Sequence, residues 1–472
     1  MIASIKLDTE EKRRAALLDP QRPSESLACP INTVSTPADK VNSKLNSQDF
    51  MKNLFNPRLM NAWYVACRQT VVAILARIIG FPLSCLIRRD PELMLVINRP
   101  GSSFADNSKY FFAHASGMAG QNQRVVMLTF DRGIQKLIVD AGGESVFHPS
   151  LQSMYLLLRC GKVVIDMDWF KFGSYPLTIG AKLIQLWHGA PIKHIELDLF
   201  RKRLNSIPAW MWPVLKIQKW LIGRYPVYDV VVTTSQWFVD NVFSQCFNAK
   251  KFISPGYPRN DILFGWPESD SIIYRLAWIN VDRNGLKKVT EAKSKGQKIC
   301  LYVPTFRKEL FDPFETTIDL SRFSKFAQKN NLLIVLKLHP FMHGHSQIKN
   351  YSNILEYNPL CDIYPLMPMC DLMITDYSSI FFDFLLLDRP ILFFAYDLDA
   401  YLNHDRSMYF DYEVMTPGMK CNKVDQLELY IETILKNGCQ DDYAALRQKI
   451  RACTHDHIDG KSNVRLISEL LT

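Results

Sequence analysis

At 472 residues, the chain is too long for one average domain and implies two or three. Its 48% hydrophobic and 22% charged residues exclude a disordered or fibrous protein and predict packed cores. The net charge of +9 suits an acidic partner, whether nucleotide, phosphopolymer, anionic membrane or nucleic acid. Eleven cysteines at irregular spacing, with no CxxC pair, argue against a disulfide framework and a zinc site, and a reducing cytosol is the expected compartment. The first 50 residues carry no apolar core followed by a small-residue cleavage site, so no secretory signal is expected.

Residues 1–58 read as a low-order tail. Pro20, Pro23, Pro30 and Pro37 interrupt it, and no apolar period is sustained. Residues 59–90 are amphipathic. Arg68 and Arg77 divide the segment, and its uncharged runs fall short of the roughly 20 residues that span a bilayer. An interfacial helix is predicted, with Trp63 and Tyr64 at the lipid boundary. A helix packed on the domain is the alternative.

From Glu92 the chain alternates. Strands are predicted over 93–98, 124–130, 145–148, 162–166 and 182–187, and helices over 107–114, 131–140 and 152–159. A second series has strands over 298–303, 332–338 and 354–357 and a helix over 322–329. This pitch predicts an α/β fold of two Rossmann-like lobes, 91–285 and 286–472, with a cleft between them and amphipathic helices at the periphery. Ligands of such sheets bind beyond the carboxyl ends of strands.

Within the first lobe, residues 201–224 stand apart. Arg201, Lys202, Arg203, Lys216, Lys219 and Arg224 accompany Trp210, Trp212 and Trp220. Trp210, Val214, Ile217 and Leu221 share one helix face. The composition predicts contact with an anionic membrane surface. A basic groove for a polyanionic acceptor, or a plain core helix, are the alternatives.

The stretch from Asp371 to Phe394 reads as strand, polar turn, helix and strand. Leu372–Ile374 form the strand, Thr375–Ser379 the turn and Ile380–Leu387 the helix, which Pro390 closes. A hydroxyl-rich turn entering a helix is an anion site, or Ser378 simply caps the helix. Four other strand ends are polar: Gln185–Lys193 with His188 and Gly189, Ser254–Asp261 with Arg259, Tyr302–Arg307 with Thr305, and Leu336–Pro340 with His339.

Together these residues suit phosphoryl transfer. His188 would take a proton from an attacking hydroxyl, because imidazole titrates near neutral pH. Arg259, Arg307, Lys193 and His339 would offset charge on a diphosphate. Thr375, Asp376, Ser378 and Ser379 would hold the donor, and Asp383, one turn on, would accept from a hydroxyl. No carboxylate cluster with metal spacing, Walker loop or GxGxxG loop is present, so no tightly bound metal or cofactor is expected.

Six segments in order, Phe104–Lys109, Leu186–Lys193, Gly256–Asp261, Tyr302–Arg307, Lys337–Pro340 and Ile374–Asp383, carry a resemblance over roughly residues 90–455. The sequence resembles the CDP-glycerol glycerophosphotransferases, the teichoic-acid primases and polymerases of bacterial cell envelopes. The resemblance implies a GT-B fold and transfer of a polyol phosphate from CDP-glycerol or CDP-ribitol to an acceptor hydroxyl, with release of CMP. It implies His188 as the base and His339 as a diphosphate ligand. It also implies a peripheral position on the cytoplasmic membrane face and a lipid-linked or polymeric acceptor for a teichoic-acid-like or capsular phosphopolymer. A nucleotide-sugar glycosyltransferase on the same fold and a non-catalytic, polyanion-binding relative are the other readings. Nucleic acid is not an expected partner, since the basic residues form no recognised binding module.

Overall fold

Two all-parallel sheets organise the chain. The structure, a computed structural model, describes residues 71, 74–99, 104–118, 120, 123–167, 175–205, 212–223, 225–305, 317–338, 351–399, 401 and 407–471. The first sheet contains β1 (Asp90–Ile97), β2 (Arg124–Thr129), β3 (Ser145–Phe147), β4 (Cys160–Ile165), β5 (Lys182–Gln185), β6 (Val227–Val232) and β7 (Asn248–Ile253), in the order β3-β2-β1-β4-β5-β6-β7. The second contains β8 (Lys298–Val303), β9 (Leu332–Leu336), β10 (Ile354–Glu356), β11 (Leu372–Thr375), β12 (Ile391–Phe394) and β13 (Met419–Cys421), in the order β10-β9-β8-β11-β12-β13. Strands covered on both faces read as unbroken apolar runs, and all of β9, Leu-Leu-Ile-Val-Leu, is buried. In both sheets the order reverses beside the first strand, between β1 and β4 and between β8 and β11. Each reversal opens a crevice at the strand carboxyl ends, where this architecture binds ligands.

Local chemistry explains the helix limits. The helix expected over 322–329 starts at Leu320 because the Asp319 carboxylate caps the Ser321 and Arg322 N–H groups. Its Leu320, Phe323, Phe326 and Ala327 face the core at helical spacing. Strand β6 and the helices Arg283–Ser294, Val424–Lys436, Ala444–Thr454 and Ser462–Leu471 complete the alternation. The last helix, expected with the second lobe, crosses back to the first. Its Leu466, Ile467 and Leu470 join Met94, Val96 and Phe111 in one cluster. Asp261 accepts the Ser462 and Asn463 N–H groups at 2.9 and 2.8 Å and so caps that helix from the first lobe.

The lobes share a core. Leu95 and Ile97 belong to the same cluster as Leu301, Val303, Tyr377 and Phe381. A buried ion pair also joins them: Lys109 donates to Asp362 at 2.8 Å, and the Tyr110 hydroxyl donates to the same oxygen at 2.7 Å. The Asp362 N–H in turn donates to the Asn280 carbonyl. The tail 1–58, and Trp63, Tyr64 and Arg68 of the next segment, lie outside the described residues.

Candidate functional site

The β4 and β5 carboxyl ends lie side by side, next to the first-lobe reversal between β1 and β4. Asp166 follows β4, and Trp187, His188 and Gly189 follow β5. Trp187 has φ 55° and Gly189 φ 149°, so the turn is irregular and needs tethers. Asn107 Nδ2 donates to the Trp187 carbonyl at 2.8 Å. His188 Nδ1 lies 2.9 Å from the Asp166 carbonyl. A carbonyl only accepts, so Nδ1 carries the proton and Nε2 keeps its lone pair. The residue is exposed to solvent. Shielding by surrounding protein, and then the Arg99 guanidinium, lower its pKa to about 4, against the pull of Asp106. The imidazole is therefore neutral at pH 7.

Gly189 touches the second lobe. A Cβ there would meet Ser379 Oγ at 3.1 Å and the Arg259 guanidinium at 3.3 Å, and its φ is one that side chains rarely adopt. The predicted turn and the predicted strand end thus come together across the cleft.

Arg259 is buried behind them. One guanidinium nitrogen donates to Asp106 at 2.6 Å and to the His188 carbonyl at 2.9 Å. The other donates to Asp383 at 2.6 Å. Burial pushes the Asp106 carboxyl up, but Arg259 and Arg99 together hold it below the usual range. Asp383 is 1% exposed and also accepts from Tyr364 Oη at 2.6 Å and Asn260 Nδ2 at 3.0 Å. Both side chains were expected to meet the donor. Arg259 is paired with two carboxylates. Asp383 is buried under three protein donors.

In the second lobe, β8 and β11 end side by side. Asp376 accepts the Thr305 N–H at 2.9 Å and the Thr305 hydroxyl at 2.5 Å. Thr375 is buried and donates its hydroxyl to the Val303 carbonyl at 2.9 Å. These three residues lock the strand ends together. The helix after them spans Ile380–Phe384 and passes into a 3-10 turn, Leu385–Leu387. Asp388, at φ 50°, ends it ahead of Pro390. Ser379 rather than Ser378 is the N-cap, and its side chain makes no capping bond. Both serines are half-buried, and Ser379 faces Gly189. Lys193 lies 4.9 Å over the Tyr401 ring, which stacks on Tyr377 at 4.0 Å, so its cation reaches the same turn. Arg307 and His339 lie outside the described residues.

A cavity of about 580 Å³ adjoins this turn at the ends of β12 and β13, lined by Asp397, Tyr412, Glu413, Lys420 and Asn422 among others. Tyr412 Oη donates to the Asp376 carbonyl, and Tyr377 Oη to Asp397.

Sequence reasoning missed Arg99, Asp106, Asn107, Asp166 and Tyr364. Asp106 and Asn107 stood in a noted segment without a role. The signal available was their position: Asp106, at φ 67°, opens the helix that starts at the β1 crevice.

The basic and aromatic helices form a separate surface. Along the helix over 74–86, Leu75, Ile78, Ile79 and Phe81 are exposed, as are Ile217 and Trp220 of Trp212–Ile222. The Arg77 guanidinium lies 4.2 Å over the Trp220 ring and donates to the Trp220 carbonyl, which joins the two helices. Lys216 stays near Trp212, and Lys219 lies over Phe200 and Tyr225. Arg201 donates to Asp198 and to the Gln245 carbonyl, and Lys202 to Ser407, so both are tethered while remaining exposed. Trp210, Arg224 and the Arg203 side chain lie outside the described residues. Among the described residues, no helix is long and apolar enough to cross a membrane.

Residues 81–472 match the family described as CDP-Glycerol:Poly(glycerophosphate) glycerophosphotransferase. The chain is 24% identical over 385 residues to a teichoic acid poly(glycerol phosphate) polymerase of Bacillus spizizenii, covering 79% of this chain and 89% of that protein. It is 33% identical over 280 residues to a teichoic acid glycerol-phosphate primase of the same organism, covering 57% and 65%. The solved structure of the wall teichoic acid polymerase TagF is similar at a TM-score of 0.62 and 20% identity, over 90% of this chain and 98% of that one. That similarity is one of fold, and the fold is GT-B.

Proposed function

The chain belongs to the CDP-glycerol:poly(glycerophosphate) glycerophosphotransferase family, and from that premise we propose how its cleft works as a polyol-phosphate transferase. The enzyme transfers a polyol phosphate from a CDP-activated donor to an acceptor hydroxyl and releases CMP. One observation carries the assignment of the base: His188 donates Nδ1–H to the Asp166 carbonyl, which leaves the Nε2 lone pair to accept a proton. The acceptor hydroxyl loses its proton to Nε2. Its oxygen forms a bond to the donor β-phosphorus, the bond from that phosphorus to the bridging oxygen breaks, and CMP leaves with the electron pair.

Ser378, Ser379, Gly189 and Lys193 surround the donor phosphates in this reading, joined by Arg307 and His339. The nucleoside occupies the cavity beside Tyr412 and Asp397. CDP-glycerol is the proposed donor and CDP-ribitol the one to test beside it. The acceptor is a lipid-linked or polymeric phosphopolymer. The enzyme sits peripherally on the cytoplasmic membrane face, through the surface that includes Ile78, Ile79, Ile217 and Trp220.

Purified enzyme is expected to release CMP from a CDP-polyol when given a lipid-linked acceptor. Turnover of UDP- or GDP-sugars with no CMP release from either CDP-polyol would replace this reading with that of a glycosyltransferase. Cosedimentation with anionic vesicles tests the surface. The double variant Ile78→Asp with Trp220→Asp should bind about tenfold more weakly or worse, since each apolar side chain buried is worth about 1.5–3 kcal/mol. Undiminished binding would remove these two helices from the membrane contact.

A further inference from the structure

We propose that Asp383, with Tyr364, is a positioning residue: from the second lobe it fixes the Arg259 guanidinium whose other nitrogen holds the His188 carbonyl, so the base is aimed only when the lobes are closed. The inference rests on His188 being the base.

The links are short and continuous. Asp383 Oδ2 accepts from Arg259 and from Tyr364 Oη, each at 2.6 Å, and Asp383 Oδ1 accepts from Asn260 at 3.0 Å. Arg259 then donates to the His188 carbonyl at 2.9 Å. The guanidinium also lies 4.7 Å over the Tyr364 ring. His188 stands in a turn with no regular secondary structure, so its ring direction depends on what holds the Trp187 and His188 carbonyls as well as on the Asp166 carbonyl that takes its Nδ1–H. Asn107 holds that of Trp187, and Arg259 holds that of His188 itself.

Asp383 and Tyr364 come from the second lobe, while Arg259, Asn107 and His188 come from the first. The helix that carries Asp383 also brings Ser379 within 3.1 Å of a Cβ placed on Gly189. One movement of that helix therefore changes the donor side of the cleft and the aim of the base together. A second ionic link between the lobes, Lys109 to Asp362, joins the same network, since Asp362 also accepts the Tyr364 N–H at 3.1 Å.

Asp383→Asn and Tyr364→Phe test the proposal in the full chain. Both should lower kcat, by about 10- to 100-fold for Asp383→Asn and less for Tyr364→Phe, while donor KM stays within about twofold. Small-angle scattering of donor-free Asp383→Asn should give a wider profile than wild type, a readout independent of the reaction. Wild-type kcat in both variants, a loss confined to donor KM, or a profile no wider than wild type each overturns the proposal. If Asp383→Asn does not fold, Tyr364→Phe decides by kcat against KM, since it keeps both carboxylates. Wild-type enzyme that releases no CMP would instead count against the functional reading, and the scattering arm would stand.

Discussion

His188→Ala lowers CMP release by about 10²- to 10⁴-fold, the usual contribution of a positioned general base. His188 is exposed, and its ring makes one polar contact, at Asp166. Its removal therefore opens little core, and thermal unfolding should stay near that of wild type. A large rate loss with small stability loss is the expected pair of results. His188→Ala turning over near the wild-type rate would show that another group takes the proton.

The same residue predicts a pH profile. In the free enzyme the imidazole is held neutral down to about pH 4. The acid limb of kcat/KM, which reports the free enzyme, should therefore fall near pH 4 rather than near 6.5. Binding a diphosphate brings negative charge beside the ring and favours its protonated form. The acid limb of kcat should thus lie at higher pH than that of kcat/KM. The reverse order would mean that donor charge is not felt at His188.

Arg259→Ala should be the most damaging single change to the fold of the site. It leaves Asp383 buried without a cation and Asp106 with Arg99 alone, in a place where Arg259 is 4% exposed. Breaking a buried pair from one side costs about 3–5 kcal/mol. The loss should show as a lower midpoint in denaturant unfolding, with activity abolished as the His188 carbonyl loses its donor. Arg259→Lys should not restore activity, because an ammonium on a flexible stem cannot bond Asp106, Asp383 and the His188 carbonyl in one fork. Asp106 adds a sign. Its carboxyl is held low, so its share of stability is present above the unfolded carboxylate range and fades as pH falls through the lowered value. Arg259→Ala with wild-type stability and only a raised donor KM would return Arg259 to the role of a phosphate ligand.

Much of the architecture was legible because its signals are local. Apolar runs such as Leu332–Leu336 mark strands covered on both faces, and polar residues just past them mark the crevices. That reasoning placed His188, Gly189, Ser378 and Ser379 at strand ends. It also assigned Arg259, Asp383, Thr375 and Thr305 to the ligand, because nothing local shows that a polar side chain already has a partner.

By itself the sequence determined the two parallel sheets, the strand ends that carry the polar residues, and the family. A period of apolar residues and a short motif are both written within a few positions. Only the tertiary structure decided which polar groups remain for chemistry. Arg259 and Asp383 are 124 positions apart, and Thr305 and Asp376 are 71 apart. Folding brings each pair to hydrogen-bonding distance, while it holds Nδ1 of His188 on the Asp166 carbonyl. The helix Ser462–Leu471 makes the same point: its stripe predicts a buried face, but only packing showed that the face belongs to the first lobe.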